Sequence, residues 1–282
     1  MEPPPSGLTN ADRFARAVDR PDATIDLAEA ALLIAQDAYP ELRVEEYLDR
    51  FVSLADPLQA RLRGVETLRE AVSLVNGHLF GDEAFRGNVE DYYDPRNSYL
   101  NEVLDRRLGI PITLSVVYME VSRRVGLDVV GIGLPGHFIV EARRGEDSLL
   151  LDPFHGGAVL TLDDCQQLVA ESVGDAGGFS EEMLEPVSKR QILSRILNNL
   201  KMNYLRADDV ARAWPVAGKM VQLSPESPVD RRDRGLLAHR LNRFAMARLD
   251  LRFYLDHRPD APDRDAIEAS LSAIEAILSM IR

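Results

Sequence analysis

A single well-bounded helix, followed at once by three short apolar segments, sets narrow limits on the fold of this chain. The helical segment "PITLSVVYMEVSRRVGL" has Pro111 at a favourable first position, two arginines in its last turn and Gly126 to end it. The segments "DVVGIGL", "HFIVEA" and "SLLLD" follow, rich in β-branched and apolar residues and separated by Pro-Gly and Arg-Gly turn signals. A helix followed by an antiparallel sheet predicts an α+β core.

Two of the predicted strands carry His137 and Asp152, and a proline after the aspartate favours an extended backbone there. If the loop is centred on Arg144 and Gly145, antiparallel pairing brings His137 directly opposite Asp152. A carboxylate in that position fixes the imidazole tautomer and stabilises the imidazolium, so the other ring nitrogen is free to act as a general base. The same contact also satisfies a half-buried histidine without any catalysis, and the residues alone leave both interpretations open.

Charge and cysteine content exclude several classes of protein. The chain has 46 acidic and 33 basic residues and a formal net charge of -13, a field that repels nucleic acid. Its start predicts a disordered tail over residues 1–6, with no secretory signal, and no apolar run approaches the ~18 residues of a membrane span. The single cysteine, Cys165, cannot form an internal disulfide, which favours a reducing compartment. We predict a cytoplasmic protein that binds neither nucleic acid nor membranes.

Helical periodicity dominates the regions on either side of the predicted core. Residues 7–180 are predicted to hold a helical N-terminal region together with the core, and residues 181–282 a separate helical domain. In the second part Pro225 and Pro259 are 34 residues apart, as are Ala213 and Ala247. Because tetratricopeptide repeats have this period, we predict C-terminal α-helical repeats that bind another protein or a peptide.

Three motifs together, "NSYLNEVLDRRLGIPITLSVVYMEVSRRVGL", "GIGLPGHFIVEA" and "LLLDPFHGG", resemble the SirB1-type proteins, a bacterial branch of the transglutaminase-like superfamily. The resemblance implies a papain-like core in which a cysteine opens the buried helix, a histidine lies on a later strand and an aspartate ends the next. His137 and Asp152 match the last two of these residues. No thiol lies at the start of the helix, where Thr113 and then Ser115 offer hydroxyl groups instead.

Other candidate residues lie near this motif. His155, with His137 and Asp152, offers three ligands for a metal ion, an alternative that we rank below a site without metal or cofactor. The loop ahead of the helix supplies Asn88, Asp91, Asp94 and Asn97. These four side chains either cap turns and buttress the site or face a substrate. Cys165 follows the aspartate, in the wrong order for the nucleophile of the family, and we predict a packing or surface role for it.

The missing thiol decides which function the sequence favours. A helix N-terminus and a neighbouring histidine lower the pKa of a thiol far enough to supply a thiolate, whereas a hydroxyl gains much less. We therefore predict a non-catalytic transglutaminase-like protein, a pseudoenzyme that acts as a protein-binding or regulatory module. The alternative is a hydrolase or acyltransferase in which Thr113 or Ser115 is the nucleophile, His137 the base and Asp152 the residue that orients it.

Overall fold

The computed structural model describes residues 9–174 and 178–280. The chain divides into two compact units, one of residues 20–196 and the other of residues 1–19 together with residues 197–282. The tail predicted for residues 1–6 lies outside the described residues.

Helices account for most of the described chain. They are α1 (Asn10–Val18), α2 (Leu27–Ala35), α3 (Val44–Arg61), α4 (Leu68–Asn76), α5 (Leu100–Arg106), α6 (Pro111–Arg124), α7 (Leu162–Val173), α8 (Lys189–Arg206), α9 (Val210–Leu223), α10 (Pro228–Arg240), α11 (Phe244–His257) and α12 (Arg264–Met280). The strands are β1 (Arg86–Gly87), β2 (Leu108–Gly109), β3 (Asp128–Ile132), β4 (Ile139–Arg144), β5 (Asp147–Asp152) and β6 (Ala158–Leu160). Thr9 caps α1 and Thr161 caps α7. In both helices the threonine side chain accepts a hydrogen bond from the N–H of the aspartate three residues later, and the side chain of that aspartate accepts one from the N–H of the threonine. The predicted combination of helical flanks and a small antiparallel sheet is confirmed.

The core helix α6 forms where its end signals predict it. Pro111 is its first residue, and Gly126, just past its end, has a φ of +76°, which glycine adopts without strain. Nearly all of α6 is buried, and it packs against β3 and β4. A second helix, α7, places Cys165 and Val169 in an apolar cluster with Ile132 of β3. Both α6 and α7 therefore pack against the sheet.

The sheet is an antiparallel meander in the order β3, β4, β5, β6. The predicted register of its central hairpin is wrong by two residues, because Val140 pairs with Leu151 and Arg144 with Asp147. The turn therefore lies after Arg144, where Gly145 has a φ of +61°. This register does not place His137 opposite Asp152, since His137 precedes the first residue of β4.

A second, two-stranded sheet was not predicted. β1 and β2 pair in parallel, Arg86 with Leu108 and Gly87 with Gly109. The backbone N–H of Asn88 continues the pairing by donating to the carbonyl oxygen of Gly109 at 2.9 Å. This pair brings the polar loop that follows β1 to the start of α6.

The C-terminal unit repeats a helical hairpin. α9 begins at Val210 and α11 at Phe244, which is the predicted spacing, and Ala213 and Ala247 are both fully buried. A Cβ on Gly235 of α10 would lie 2.9 Å from the side chain of Leu251, so the small residue allows α10 and α11 to approach closely. α12 covers the end of the array with the buried side chains of its apolar face, and these include Ile267 and Ile274.

The division between the units differs from the predicted boundary after residue 180. Val187 donates its N–H to the carbonyl oxygen of Gly131 at 2.9 Å, and Arg195 donates to that of Leu134 at the same distance. These bonds attach residues 181–196 to the sheet. At the other end of the chain α1 joins the C-terminal unit, where it packs against α9 and the ammonium of Lys219 lies 5.6 Å from the ring centroid of Phe14.

Within the described ranges, none of the helices combines the length and the apolar character that are needed to cross a membrane.

Candidate functional site

The candidate site is built around the carboxylate of Asp152 at the end of β5. Its Oδ2 atom lies 2.8 Å from Nε2 of His137 and 2.7 Å from Nδ1 of His155. Its Oδ1 atom accepts hydrogen bonds from the backbone N–H groups of Phe154 at 3.0 Å and His155 at 3.4 Å. Asp152 is 1% exposed, so its carboxylate contacts protein atoms instead of bulk solvent. The contact between His137 and Asp152 that the sequence predicted is present, although the predicted register is wrong.

The turn that carries His137 is held from two sides. Its N–H donates to the carbonyl oxygen of Leu134 at 3.2 Å, and Arg195 of α8 donates to the carbonyl oxygens of His137 at 2.6 Å and Leu134 at 2.9 Å. Gly136 has a φ of +70°, and a Cβ there would lie 1.7 Å from the hydroxyl of Ser172. The position of His137 thus depends on Arg195, a residue that sequence reasoning missed because it lies 58 positions further along the chain with no motif around it.

The electrostatics of the site favour an ionised aspartate. Burial alone raises the pKa of Asp152, but the hydrogen bonds and charges of His137 and His155 outweigh it and hold that pKa below its ordinary value. The His137 side chain is 11% exposed and that of His155 is 58% exposed. One ring is therefore enclosed and the other faces solvent, while both point a nitrogen at the same oxygen.

The hydroxyl groups expected at the start of α6 are engaged elsewhere or enclosed. Thr113 donates to the carbonyl oxygen of Asn97 at 2.7 Å and accepts from the N–H of Ile110 at 3.1 Å. Ser115 is fully buried, and its hydroxyl has no hydrogen-bond partner among the described residues. Neither hydroxyl forms a hydrogen bond with His137 in the part of the chain that the structure describes.

The polar loop ahead of α6 is bonded within itself. Asn88 donates to the side-chain oxygen of Asn97 at 3.0 Å, and Asn97 donates to the carbonyl oxygen of Asp91 at 2.7 Å. The Asp94 carboxylate pairs with the guanidinium of Arg96 at 2.7 Å. Asn88, Asp94 and Asn97 are buried, whereas Asp91 is exposed. Through the bond from Thr113 to Asn97, this loop fixes the first turn of the core helix.

Cys165 lies in α7 and is fully buried in the apolar cluster beneath the sheet. Burial raises the pKa of its thiol to about 11, and the negative charges of Asp164 and Asp152 act in the same direction. A thiol with such a pKa is protonated near neutral pH, which is the opposite of what a nucleophilic cysteine requires.

Aromatic side chains surround the histidine pair. The Phe154 ring centroid lies 6.2 Å from that of His137 and 6.0 Å from that of Tyr92, and Tyr92 contacts Tyr93 at 5.3 Å. Tyr93 is 59% exposed, so the rim of the site presents aromatic surface to solvent. This rim was not predicted, although Phe154 lies inside the motif that carries Asp152.

The arrangement of a buried helix, a histidine and an aspartate at the end of a strand agrees with comparisons to known proteins. Residues 45–198 match the family described as the transglutaminase-like superfamily. The chain belongs to this superfamily. In addition to this transglutaminase-like region, residues 200–272 match the tetratricopeptide repeat. Both parts of the predicted resemblance are therefore confirmed.

Two of the similar proteins align over most of this chain, and a third aligns over about half of it. A UPF0162 protein of Xylella fastidiosa strain Temecula1 is 36% identical over 253 residues, which cover 89% of this chain and 90% of that protein. A UPF0162 protein of Vibrio cholerae is 26% identical over 255 residues, covering 89% and 93% of the two chains. F-box only protein 21 of Mus musculus is 30% identical over 144 residues, or 48% of this chain and 22% of that protein. No solved structure matches the chain significantly.

Proposed function

We propose that this transglutaminase-like protein is non-catalytic and acts in the cytoplasm as a regulatory module that binds another protein or a peptide. The observation that carries the proposal is the pairing of His137 with Asp152, with no nucleophile among the described residues hydrogen-bonded to the imidazole. An active constellation of this kind places a thiol or hydroxyl within hydrogen-bond reach of the base. Here the hydroxyl of Thr113 is committed to Asn97, and Cys165 is enclosed in apolar surroundings.

The tetratricopeptide repeats support the binding part of the proposal. Such repeats present extended surfaces to partner proteins. In the C-terminal unit, Met246 and Leu249 project from one face of α11 and are 37% and 60% exposed. Large apolar side chains that are three residues apart on a helix suit a partner segment that carries apolar anchors of its own.

The binding proposal is tested by affinity capture followed by measurement with the purified partner. Replacing Met246 and Leu249 together by glutamate should weaken binding of the captured partner by at least about tenfold, because a buried contact worth ~1.4 kcal/mol is lost. Val52→Glu, at a residue of α3 that is 48% exposed, is the matched control and should bind like the wild type. Equal binding by the double variant and the wild type would show that Met246 and Leu249 do not form the binding surface.

One observation favours the alternative that the protein is a hydrolase or acyltransferase. Asp152 meets Nε2 of His137, and this leaves Nδ1 as the nitrogen of that ring available to act as a base. A broad panel of esters, amides and isopeptides, measured with the wild type and with His137→Ala, separates the two functions. The non-catalytic proposal predicts equal background rates for both proteins. If the wild type turns over a substrate and His137→Ala, with an unchanged circular dichroism spectrum, does not, the enzymatic alternative would replace the non-catalytic proposal.

A further inference from the structure

Three potential metal ligands converge in the candidate site. One ring nitrogen each of His137 and His155 and a carboxylate oxygen of Asp152 all lie within 4.8 Å of one another. Two imidazoles and one carboxylate are a donor set found in zinc enzymes and in non-haem iron centres. Both rings approach the same oxygen, Oδ2, so the three ligand atoms share one side of the carboxylate.

The surrounding structure orients these ligands before any ion arrives. Oδ1 of Asp152 is held by the backbone N–H groups of Phe154 and His155, which leaves Oδ2 facing the two rings. The turn that carries His137 is fixed by the guanidinium of Arg195. Hydrogen bonds that fix the orientation of metal ligands are a regular part of metal sites in proteins.

A cavity of about 250 Å³ opens next to this cluster, and its lining favours cations. Asp152 and His155 form one side of the cavity, and Asp164, Gln167 and Glu171 line it as well. The amide of Gln167 donates to Glu171 at 3.0 Å, and no lysine or arginine is among the lining residues. A concave surface that is lined by negative charges raises the local concentration of positive ions and disfavours phosphate or carboxylate ligands. The cavity also has room for water at the coordination positions that the protein does not fill.

We propose that His137, Asp152 and His155 bind a divalent transition metal, and that Zn²⁺ is the ion best suited to these three donors. Two tetrahedral ligands at ~2.0–2.1 Å from zinc are ~3.3 Å apart, so the rings of His155 and His137, now 2.7 and 2.8 Å from Oδ2, each have to withdraw by about half an ångström. The side chain of His155 is 58% exposed, which leaves it room to move, whereas the ring of His137, which is 11% exposed, has to turn slightly about its own side-chain bonds. Asp152, which is 1% exposed, provides the fixed part of the site.

The binding experiment uses the full-length protein without an affinity tag, titrated with Zn²⁺ by calorimetry and with Co²⁺ by visible absorption. The wild type should bind one equivalent of each ion, with absorption bands for Co²⁺ typical of four- or five-coordinate geometry. His155→Ala should lower the affinity for Zn²⁺ by at least about tenfold, since even loss of an outer hydrogen bond to a ligand costs 10–100-fold. His257→Ala is the control, because His257 is exposed and its ring bonds to the carbonyl oxygen of Phe253 within its own helix.

Folding and location of the ion are checked in the same samples. His155→Ala removes an exposed side chain, so its circular dichroism spectrum without metal should match that of the wild type, while loss of the hydrogen bond to Asp152 should lower its melting temperature. In nuclear magnetic resonance spectra, Zn²⁺ should shift the ring nitrogens of His137 and His155 and leave those of His78 and His239 unchanged. A wild type that shows no saturable binding of Zn²⁺, or binding that His155→Ala leaves unchanged, would overturn the proposal. Neither result bears on partner binding by the repeats.

Discussion

The imidazole of His137 contacts the carboxylate of Asp152 at 2.8 Å although the two residues are not partners in the sheet. Asp152 is the last residue of β5, whereas His137 lies in a turn before β4. The strand register therefore does not impose the contact, and the turn has to be held in place by other groups. The guanidinium of Arg195, which bonds to the carbonyl oxygens of Leu134 and His137, is the group that does so.

Replacing Arg195 by methionine should therefore loosen the site as well as destabilise the unit. Two hydrogen bonds from a half-buried charged group are lost, and bonds of this kind contribute about 1.5–3 kcal/mol each to the free energy of unfolding. Urea unfolding should show a loss of at least ~2 kcal/mol, and the ring resonances of His137 should broaden. Arg43→Met, at an arginine whose side chain is 75% exposed, is the control and should change neither. A sharp, unshifted His137 signal in Arg195→Met would contradict the assigned role.

Thr113 and Ser115 should respond oppositely to loss of their hydroxyl groups. Thr113→Val removes a buried hydroxyl that bonds to Asn97 and Ile110, so the free energy of unfolding should fall by about 1–3 kcal/mol. Ser115→Ala removes a buried hydroxyl without a partner among the described residues, so stability should stay constant or rise. Chemical denaturation of both variants measures the difference. Equal destabilisation would mean that the Ser115 hydroxyl has a partner, such as a buried water molecule.

Local signals account for the parts of the fold that the sequence predicted. Proline at the start of α6, glycine after its end and the alternation of apolar residues in the next segments all act over a few residues. The predicted hairpin register was wrong because local signals do not distinguish a turn centred on Arg144 and Gly145 from one centred on Gly145 and Glu146. The choice between them depends on the strand pairing itself. The histidine and the aspartate still meet because the turn before β4, which Arg195 holds, brings His137 to the end of β5.

Features that depend on distant parts of the chain were not predictable in this way. The two-residue strands β1 and β2 are too short to give a periodic signal, and they pair across α5. α1 joins the C-terminal unit because it packs against α9, almost two hundred positions later in the sequence. The contact of His155 with Asp152 was considered only as a metal-binding alternative, because it requires the tight turn formed by Pro153–His155. Arg195 gave no signal at all.

Cys165 should be unreactive in the native protein. Burial raises the pKa of its thiol to about 11, so little thiolate exists near neutral pH, and the apolar cluster around it excludes reagents. Ellman's reagent should find no reactive thiol in the native chain at neutral pH and one in denaturant. Rapid reaction of the native protein would contradict the packing of α7 on the sheet and would reopen a chemical role for this residue.

Asp94 should stabilise the fold in a pH-dependent way. Burial alone raises the pKa of Asp94, but the hydrogen bonds from Arg96 and the charges of Arg96 and Arg106 outweigh it and hold that pKa below the ordinary 3.8. Because the folded protein has the lower pKa, this stabilisation is fully present above about pH 4 and is lost as the pH falls through the folded value. The difference in unfolding free energy between the wild type and Asp94→Asn should be constant from about pH 7 to 5 and shrink below about 4. A difference that does not change with pH would contradict the assigned pairing.

The C-terminal unit should depend on one buried ion pair. Arg234 forms two hydrogen bonds with the carboxylate of Asp250, at 2.7 and 2.8 Å, and Asp250 is 1% exposed. Arg234→Ala leaves that charge buried, with Arg231 at 3.8 Å as its remaining ion-pair partner among the described residues, so the free energy of unfolding should fall by about 3 kcal/mol or more. Arg240→Ala breaks an exposed pair with Asp208 and should cost at most ~1 kcal/mol. Chemical denaturation of both variants measures the two costs, and equal values would show that the pair of Arg234 and Asp250 is as accessible to water as the surface pair.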